Sequence, residues 1–344
     1  MKCFYAPETD LHDPVFRLTH GKILRNAEQA ERAKLLKAGL DQLGLHAIEP
    51  AEASRDALSA VHTEDFLTFL ETAWEAWQAL PNAGPEVVPN VFPQRSFATY
   101  PASIVGRAGW HMGDTSAPIG EHTWTASRRA ADCAVAAADA VLAGDRAAYA
   151  LCRPAGHHSS ADMAAGHCMM NNSAVAAARL RSQHDKVATL DIDVHHGNGT
   201  QAIFYERDDV MTISIHADPE TYYPFFVGYA HETGRGAGEG YNLNIPLPQS
   251  TGDDGWCKAV ASGLDRVQEF KPDALVVSLG LDAHENDPLK GLQVTFDGFR
   301  RAGEMIAAAG LPTVLVQEGG YLSPDLTTSL VAYLAGYTGR DIEL

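Results

Sequence analysis

The sequence is short of cationic residues and of long apolar runs. Lysine and arginine number 26 against 44 aspartates and glutamates, a formal net charge of −18. That balance argues against a nucleic-acid partner, which needs a basic patch. It suits attraction of small cations, although acidic surfaces also simply keep proteins dissolved. No run of about 18 apolar residues occurs, so no membrane-spanning helix is expected. The opening MKCFYAPETD lacks a signal peptide's apolar stretch. Cysteine is scarce and scattered: Cys3, Cys133, Cys152, Cys168 and Cys257 form no CxxC pair and no disulfide framework. A reducing cytoplasm is the expected compartment. Internal repeats and low-complexity segments are missing too.

What is present is an α/β pattern. With 344 residues the chain can form one large domain or two smaller ones. Apolar runs at 2–6, 46–51, 147–152, 187–193, 210–216, 241–247, 273–280 and 312–319 read as eight strands. Helical patterns occupy 27–43, 64–79, 126–143, 171–183, 253–270 and 296–309. Strands alternating with helices imply an open parallel sheet with helices on both faces. Residues 7–26 read as loop. Residues 80–103 carry six prolines or glycines among Phe92, Phe97 and Tyr100, which favours an ordered lid or subunit contact over a free linker. No second domain is indicated after it, so residues 1–344 read as one unit. Trp74 and Trp77, one helical turn apart, read as packing.

The stretch VATLDIDVHHGNGT at 187–200 is the focus. Its apolar run ends in Asp191, Asp193, His195 and His196, and ligands in open α/β sheets bind beyond the carboxyl ends of strands. Asp193 and His195 share a face if the chain is still extended, and both are zinc-ligand types. A single DxH is as easily a polar strand cap. Three further strand ends change the balance: RPAGHHSS with His157 and His158, Leu281-Asp282 with AHENDP, and Glu318-Gly319-Gly320-Tyr321. In a parallel sheet these ends share one edge. Asp193, His195 and Asp282 then make three metal ligands with room for water and a carbonyl. His157 and His158 are placed for proton transfer, with Asp191 and Asn198 near enough to orient them, and the Tyr321 hydroxyl for an oxyanion. The product of this reading is an amide or ester hydrolase without a covalent intermediate. A binuclear centre of the arginase type would need carboxylates at positions 197 and 280, and both are glycine.

RPAGHHSS, GHCMMNN, LDIDVHHGNGTQAIFY, SLGLDAHENDP and QEGGY resemble the histone deacetylase family, closest to bacterial acetylpolyamine amidohydrolases and class II-like deacetylases. The resemblance is strongest over 147–322. It implies the arginase/deacetylase-like fold, one zinc on Asp193, His195 and Asp282, and the pairs His157–Asp191 and His158–Asn198. It implies K⁺ or Na⁺ at an inner site (Asp191, Asp193, His195, Ser214, Ile215) and an outer one (Phe204, Arg207, Val210, Tyr241). It places Gly166, His167, Tyr223, Leu289 and Gly320 around a substrate tunnel. It also implies a homodimer whose insertion narrows the entrance. Of the family's two tunnel aromatics, His167 takes one position and Tyr223 the other, which makes the tunnel more polar, and His167 is a residue expected to titrate near neutral pH. Acidic residues that help polyamine enzymes hold a cation are replaced by Val105, Ser116 and Leu289, with Asp114 or Glu121 as substitutes. The expected substrates are small N-acetylated amines such as acetylpolyamines. The alternatives are acyl-lysine peptides or proteins, and a non-catalytic binding protein on the same fold.

Overall fold

The computed structural model describes residues 1–342. In chain order the elements are β1 (Lys2–Phe4), β2 (Phe16–Thr19), β3 (Lys22–Arg25), α1 (Glu31–Gln42), β4 (Ala47–Ile48), α2 (Arg55–Ser59), α3 (Glu64–Gln78), α4 (Ile104–His111), α5 (Thr123–Leu142) and β5 (Ala147–Ala150). There follow α6 (Asn172–Arg181), β6 (Val187–Asp191), α7 (Asn198–Phe204), β7 (Val210–Ala217), β8 (Asn242–Leu247), α8 (Asp253–Phe270), β9 (Ala274–Leu279), α9 (Phe296–Ala308), β10 (Thr313–Gln317) and α10 (Leu326–Thr338).

Eight strands form one parallel sheet in the order β4-β1-β5-β10-β9-β6-β7-β8. Side chains alternate across it, as the two-residue strand period requires. On β9, Leu275, Val277 and Leu279 enter the core shared with α1, α8, α9 and α10. Ala274 and Val276 enter the opposite core with α3, α5 and α6. Both faces are covered, so the central strands read as unbroken apolar runs. Among the described residues no helix is long and apolar enough to cross a membrane, and all five cysteines are free and buried.

The loop expected at 7–26 is corrected by the structure. A 3₁₀ turn at Pro7–Leu11 leads into the antiparallel hairpin β2–β3, with Thr19 opposite Lys22. His20 and Gly21 both have positive φ, 49° and 74°. That is the backbone a two-residue hairpin turn needs for its twist to match the strands. α10 was not anticipated either. It is apolar almost all round and lies buried against α9, so its sequence carries little helical periodicity.

The insertion at 80–103 forms no helix or named strand, yet it is tied down. Trp74 Nε1 donates to Pro85 O (3.1 Å) and Gln78 Nε2 to Gly84 O (2.9 Å). Val87 and Ile119 exchange backbone bonds of 2.8 and 3.1 Å. Arg95 pairs with Asp162 at 2.8 Å. Glu86 Oε1 accepts from Val15 N at 2.9 Å, at the root of the hairpin. Asn26 holds the other root, donating to Phe16 O and Ser116 O. The insertion thereby positions β2–β3.

Candidate metal centre and substrate cleft

The strand order puts β5, β10, β9 and β6 side by side at the centre of the sheet. The four chemistry-bearing strand ends are therefore immediate neighbours. Asp193, His195 and Asp282 are buried, and their ligand atoms all lie within 4.8 Å of one another. His195 Nδ1 is 3.0 Å from Asp193 Oδ1 and 3.1 Å from Asp282 Oδ2. Backbone amides fix the carboxylates: His195 N and Gly319 N donate to Asp193 (both 2.8 Å), and Val194 N donates to Asp282 (3.0 Å).

Glycine is required around this cluster. A Cβ on Gly280 would sit 2.1 Å from Asp193 Oδ2, and one on Gly319 2.1 Å from Asp282 Oδ2. A Cβ on Gly197 would sit 2.2 Å from Asp191 Oδ2. Positions 197 and 280, where a binuclear centre would need carboxylates, thus have no space for any side chain.

The electrostatics favour a cation. Burial alone would lower the His195 pKa, but the Asp193 and Asp282 carboxylates raise it to about 9. Burial, and then Asp193, push Asp282 above the usual carboxylate range. Two buried carboxylates around one imidazole attract positive charge, and this oxygen–nitrogen donor set fits zinc. His157, Cys168 and Glu318 also come together. There, however, Glu318 already accepts from Gly156 N (2.6 Å), His157 N (3.1 Å) and Ser173 Oγ (2.8 Å), and burial raises the Cys168 thiol pKa. This second group is a structural bolt for the histidine loop.

The two histidines differ in state. His157 Nδ1 lies 2.9 Å from Asp191 Oδ2, and His158 Nδ1 2.6 Å from Asn198 Oδ1. Burial opposes a charge on His157, but Asp193 and Asp191 outweigh it and raise its pKa well above normal. Burial lowers His158 well below normal, helped by His157 and His195. The rings stand 4.0 Å apart. Two carboxylates overcome burial at His157, whereas at His158 burial and the neighbouring imidazoles outweigh the Asn198 hydrogen bond, so adjacent rings shift in opposite directions.

A cleft of about 490 Å³ opens onto His158, His195 and Tyr321. Gly166, His167, Tyr223 and Leu289 line it. Gly320 does not: its carbonyl accepts from Arg32 Nε at 2.6 Å, behind the tyrosine. His167 is corrected as well. Burial, with Arg17 and His195 next, holds its pKa down to about 3, so it does not titrate near neutrality. Its Nδ1 is 3.2 Å from the Tyr321 hydroxyl. Of the two possible acidic substitutes, Asp114 lines the cleft, whereas Glu121 lies in a separate groove. Ser214 and Ile215 lie on β7, with Ser214 in register with Asp191. Phe204 ends α7, Val210 begins β7, and Tyr241 O accepts from Thr212 N (3.0 Å).

Several working residues escape a local reading. The Tyr222 ring stacks on His195, with centroids 5.0 Å apart, and its hydroxyl donates to Leu289 O at 3.0 Å. Arg32 lies 4.8 Å over the Tyr321 ring and donates to Glu318 O at 2.7 Å. Glu28 joins it to Arg153, which in turn donates to Thr9 O at 2.6 Å. Asp287 Oδ2 accepts from Tyr321 N at 2.9 Å. Only the tandem glycines before Tyr321 hinted at so crowded a turn.

A parallel α/β sheet whose central strand ends carry a buried Asp-His-Asp cluster, paired histidines and a tyrosine defines the arginase/deacetylase-like class of amide hydrolases. The chain belongs to the histone deacetylase family: residues 26–337 match the Histone deacetylase domain. It is 42% identical to an acetylpolyamine amidohydrolase of Burkholderia pseudomallei, over 98% of each chain. It is 38% identical to the acetylpolyamine amidohydrolase of Mycoplana ramosa, over 98% of this chain and 100% of that one. A crystal structure of acetylpolyamine aminohydrolase from Burkholderia pseudomallei superimposes with a TM-score of 0.96 at 42% identity, covering 98% of both chains.

Proposed function

We propose that the protein is a zinc-dependent deacetylase that removes acetyl or other short acyl groups from small N-acylated amines, acetylpolyamines among them. One observation carries the chemistry: the metal-ligand cluster, His158 and Tyr321 meet at the same cleft. The full-length similarity to acetylpolyamine amidohydrolases supports the substrate class.

Asp193, His195 and Asp282 would hold the zinc, which supplies Lewis acidity for the amide carbonyl and for water. His158 is neutral, and with Asn198 Oδ1 accepting from Nδ1–H its Nε2 lone pair is free to take the water's proton. His157, hydrogen-bonded through Nδ1 to Asp191 and 4.0 Å from the His158 ring, is placed to supply a proton for the departing amine. Burial keeps Tyr321 un-ionised, so its hydroxyl donates to the developing oxyanion. Water oxygen joins the acyl carbon, the C–N bond breaks, and acetate and free amine leave. His158→Ala and His157→Ala are each expected to impair turnover with metal content intact. Metal analysis beside kcat checks this, and loss of zinc would make the pair ligands instead.

The same reading assigns a structural K⁺ or Na⁺ to Asp191, Asp193, His195, Ser214 and Ile215, and a second to Phe204, Arg207, Val210 and Tyr241. It takes residues 1–344 as one catalytic domain in a reducing cytoplasm, without nucleic-acid or membrane partners. It also takes the protein as a homodimer, supported by the exposed Val91, Phe92 and Phe97 on the insertion. Deleting 82–91 removes the Glu86–Val15 bond and the Val87–Ile119 pairing. That variant is expected to melt lower and to accept bulkier substrates relative to small ones.

The deciding assay compares acetylputrescine, acetylcadaverine, acetyl-lysine peptides and an acetylated folded protein under one set of conditions. Higher kcat/KM on the small amides is expected. Equal efficiency on the folded protein would make this a general deacylase, and an inert zinc-loaded protein would make it a binding module.

A further inference from the structure

The cleft carries one guanidinium with unused donors. Arg17, on β2, lines the cleft beside His167 and Tyr222. Among the described residues it makes no ion pair within 4.0 Å, and its buried Nε has no hydrogen-bond partner. Its charge is felt on both walls. It is the second cause, after burial, of the depressed His167 pKa, and it opposes the upward shift of Tyr222. The one carboxylate in the lining outside the metal cluster is already engaged. Asp114 Oδ2 accepts from the Tyr223 hydroxyl (2.7 Å) and Gly166 N (3.0 Å), and Oδ1 accepts from Ser116 N (2.7 Å). Leu289, also in the lining, offers no charge.

A substrate ammonium entering this cleft meets the like charge of Arg17, and the lining's one carboxylate, Asp114, though not ion-paired, has its oxygens turned to three neutral donors. A substrate carboxylate meets a planar fork of donors that matches it in shape and charge. The overall charge of −18 favours cations only at long range, where salt screens it beyond about 8 Å. Contact inside the cleft decides preference there.

We propose that Arg17 is a specificity residue, and that the preferred substrates are small N-acylated amines whose far end is a carboxylate, that is, acylated amino acids. The proposal rests on the deacetylase reading and names the substrate class of that site. The reaction is unchanged: water adds to the acyl carbon, the C–N bond breaks, and acetate and the amino acid leave, with the amine taking up the proton.

Three amides of matched length test it on the zinc-loaded enzyme: 5-acetamidopentanoate, N-pentylacetamide and N-acetylputrescine. The expected order of kcat/KM is carboxylate, neutral, ammonium, with the difference residing in KM. In Arg17→Gln the carboxylate-to-neutral ratio should fall about tenfold, the scale of a lost charge-assisted hydrogen bond. In Arg17→Glu the order should reverse. Wild-type preference for N-acetylputrescine over the neutral amide would overturn the proposal, whatever the variants do. So would an Arg17→Gln enzyme slowed equally on all three. Failure to hydrolyse any of the three, the neutral amide included, would instead overturn the deacetylase reading and this proposal with it.

Discussion

Asp282→Ala and Asp193→Ala are each expected to lose bound metal and activity together. Either change leaves two protein ligands where three converge within 4.8 Å. It also removes an acceptor that a backbone amide needs: Val194 N for Asp282, His195 N and Gly319 N for Asp193. Asp282→Asn separates the two effects, because the amide oxygen can still accept from Val194 N while the charge is gone. The stability readout sharpens the test. Asp282 is buried beside Asp193, and its proton affinity is raised by burial and by that neighbour. Removing the charge relieves the repulsion with Asp193 but also loses the attraction to His195, so the zinc-dependent part of the Tm is the readout. The zinc-dependent rise in Tm, which follows from binding to the native state alone, should vanish. Elemental analysis, turnover and melting with and without zinc form one experiment. Full metal content with near-native turnover in either alanine variant would rule the assignment out.

Tyr321→Phe is expected to fold and hold metal but to lose about 10²–10³ in kcat, the usual effect of deleting one oxyanion donor. The substitution is clean for structural reasons. The Asp287 contact is made by the backbone amide of residue 321, and Arg32 packs over the ring rather than on the hydroxyl. A phenyl ring keeps both. Among the described residues the hydroxyl's one hydrogen-bond partner is His167 Nδ1 at 3.2 Å, and burial holds that imidazole neutral. KM should change little if the bond strengthens only as charge develops on oxygen. An unchanged kcat would remove Tyr321 from the mechanism.

Local pattern made much of this protein legible. The central strands β6, β7 and β9 are apolar runs rich in β-branched residues, and their existence follows from side-chain type. His157 with Asp191 and His158 with Asn198 were paired through the family resemblance, and the structure places both pairs at bonding distance. The hairpin at Phe16–Arg25 was missed because His-Gly is a weaker turn signal than Asn-Gly, and its strands are only four residues each. α10 was missed because burial on all sides removes the periodicity that marks a helix.

The amino-acid sequence by itself determined which residues stand at strand ends, and parallel pairing obliges those ends to share an edge. It did not determine that β5, β10, β9 and β6 are neighbours, because strand order depends on contacts between segments distant in sequence. Only the tertiary structure decided what surrounds each side chain. Burial turned His167 from an expected titrating group into a neutral one. Close packing moved Gly320 behind the tyrosine, against Arg32. The tie between Glu86 and Val15 anchored a hairpin that carries Arg17 to the cleft. Desolvation and long-range contact set these properties, and neither is a function of local sequence.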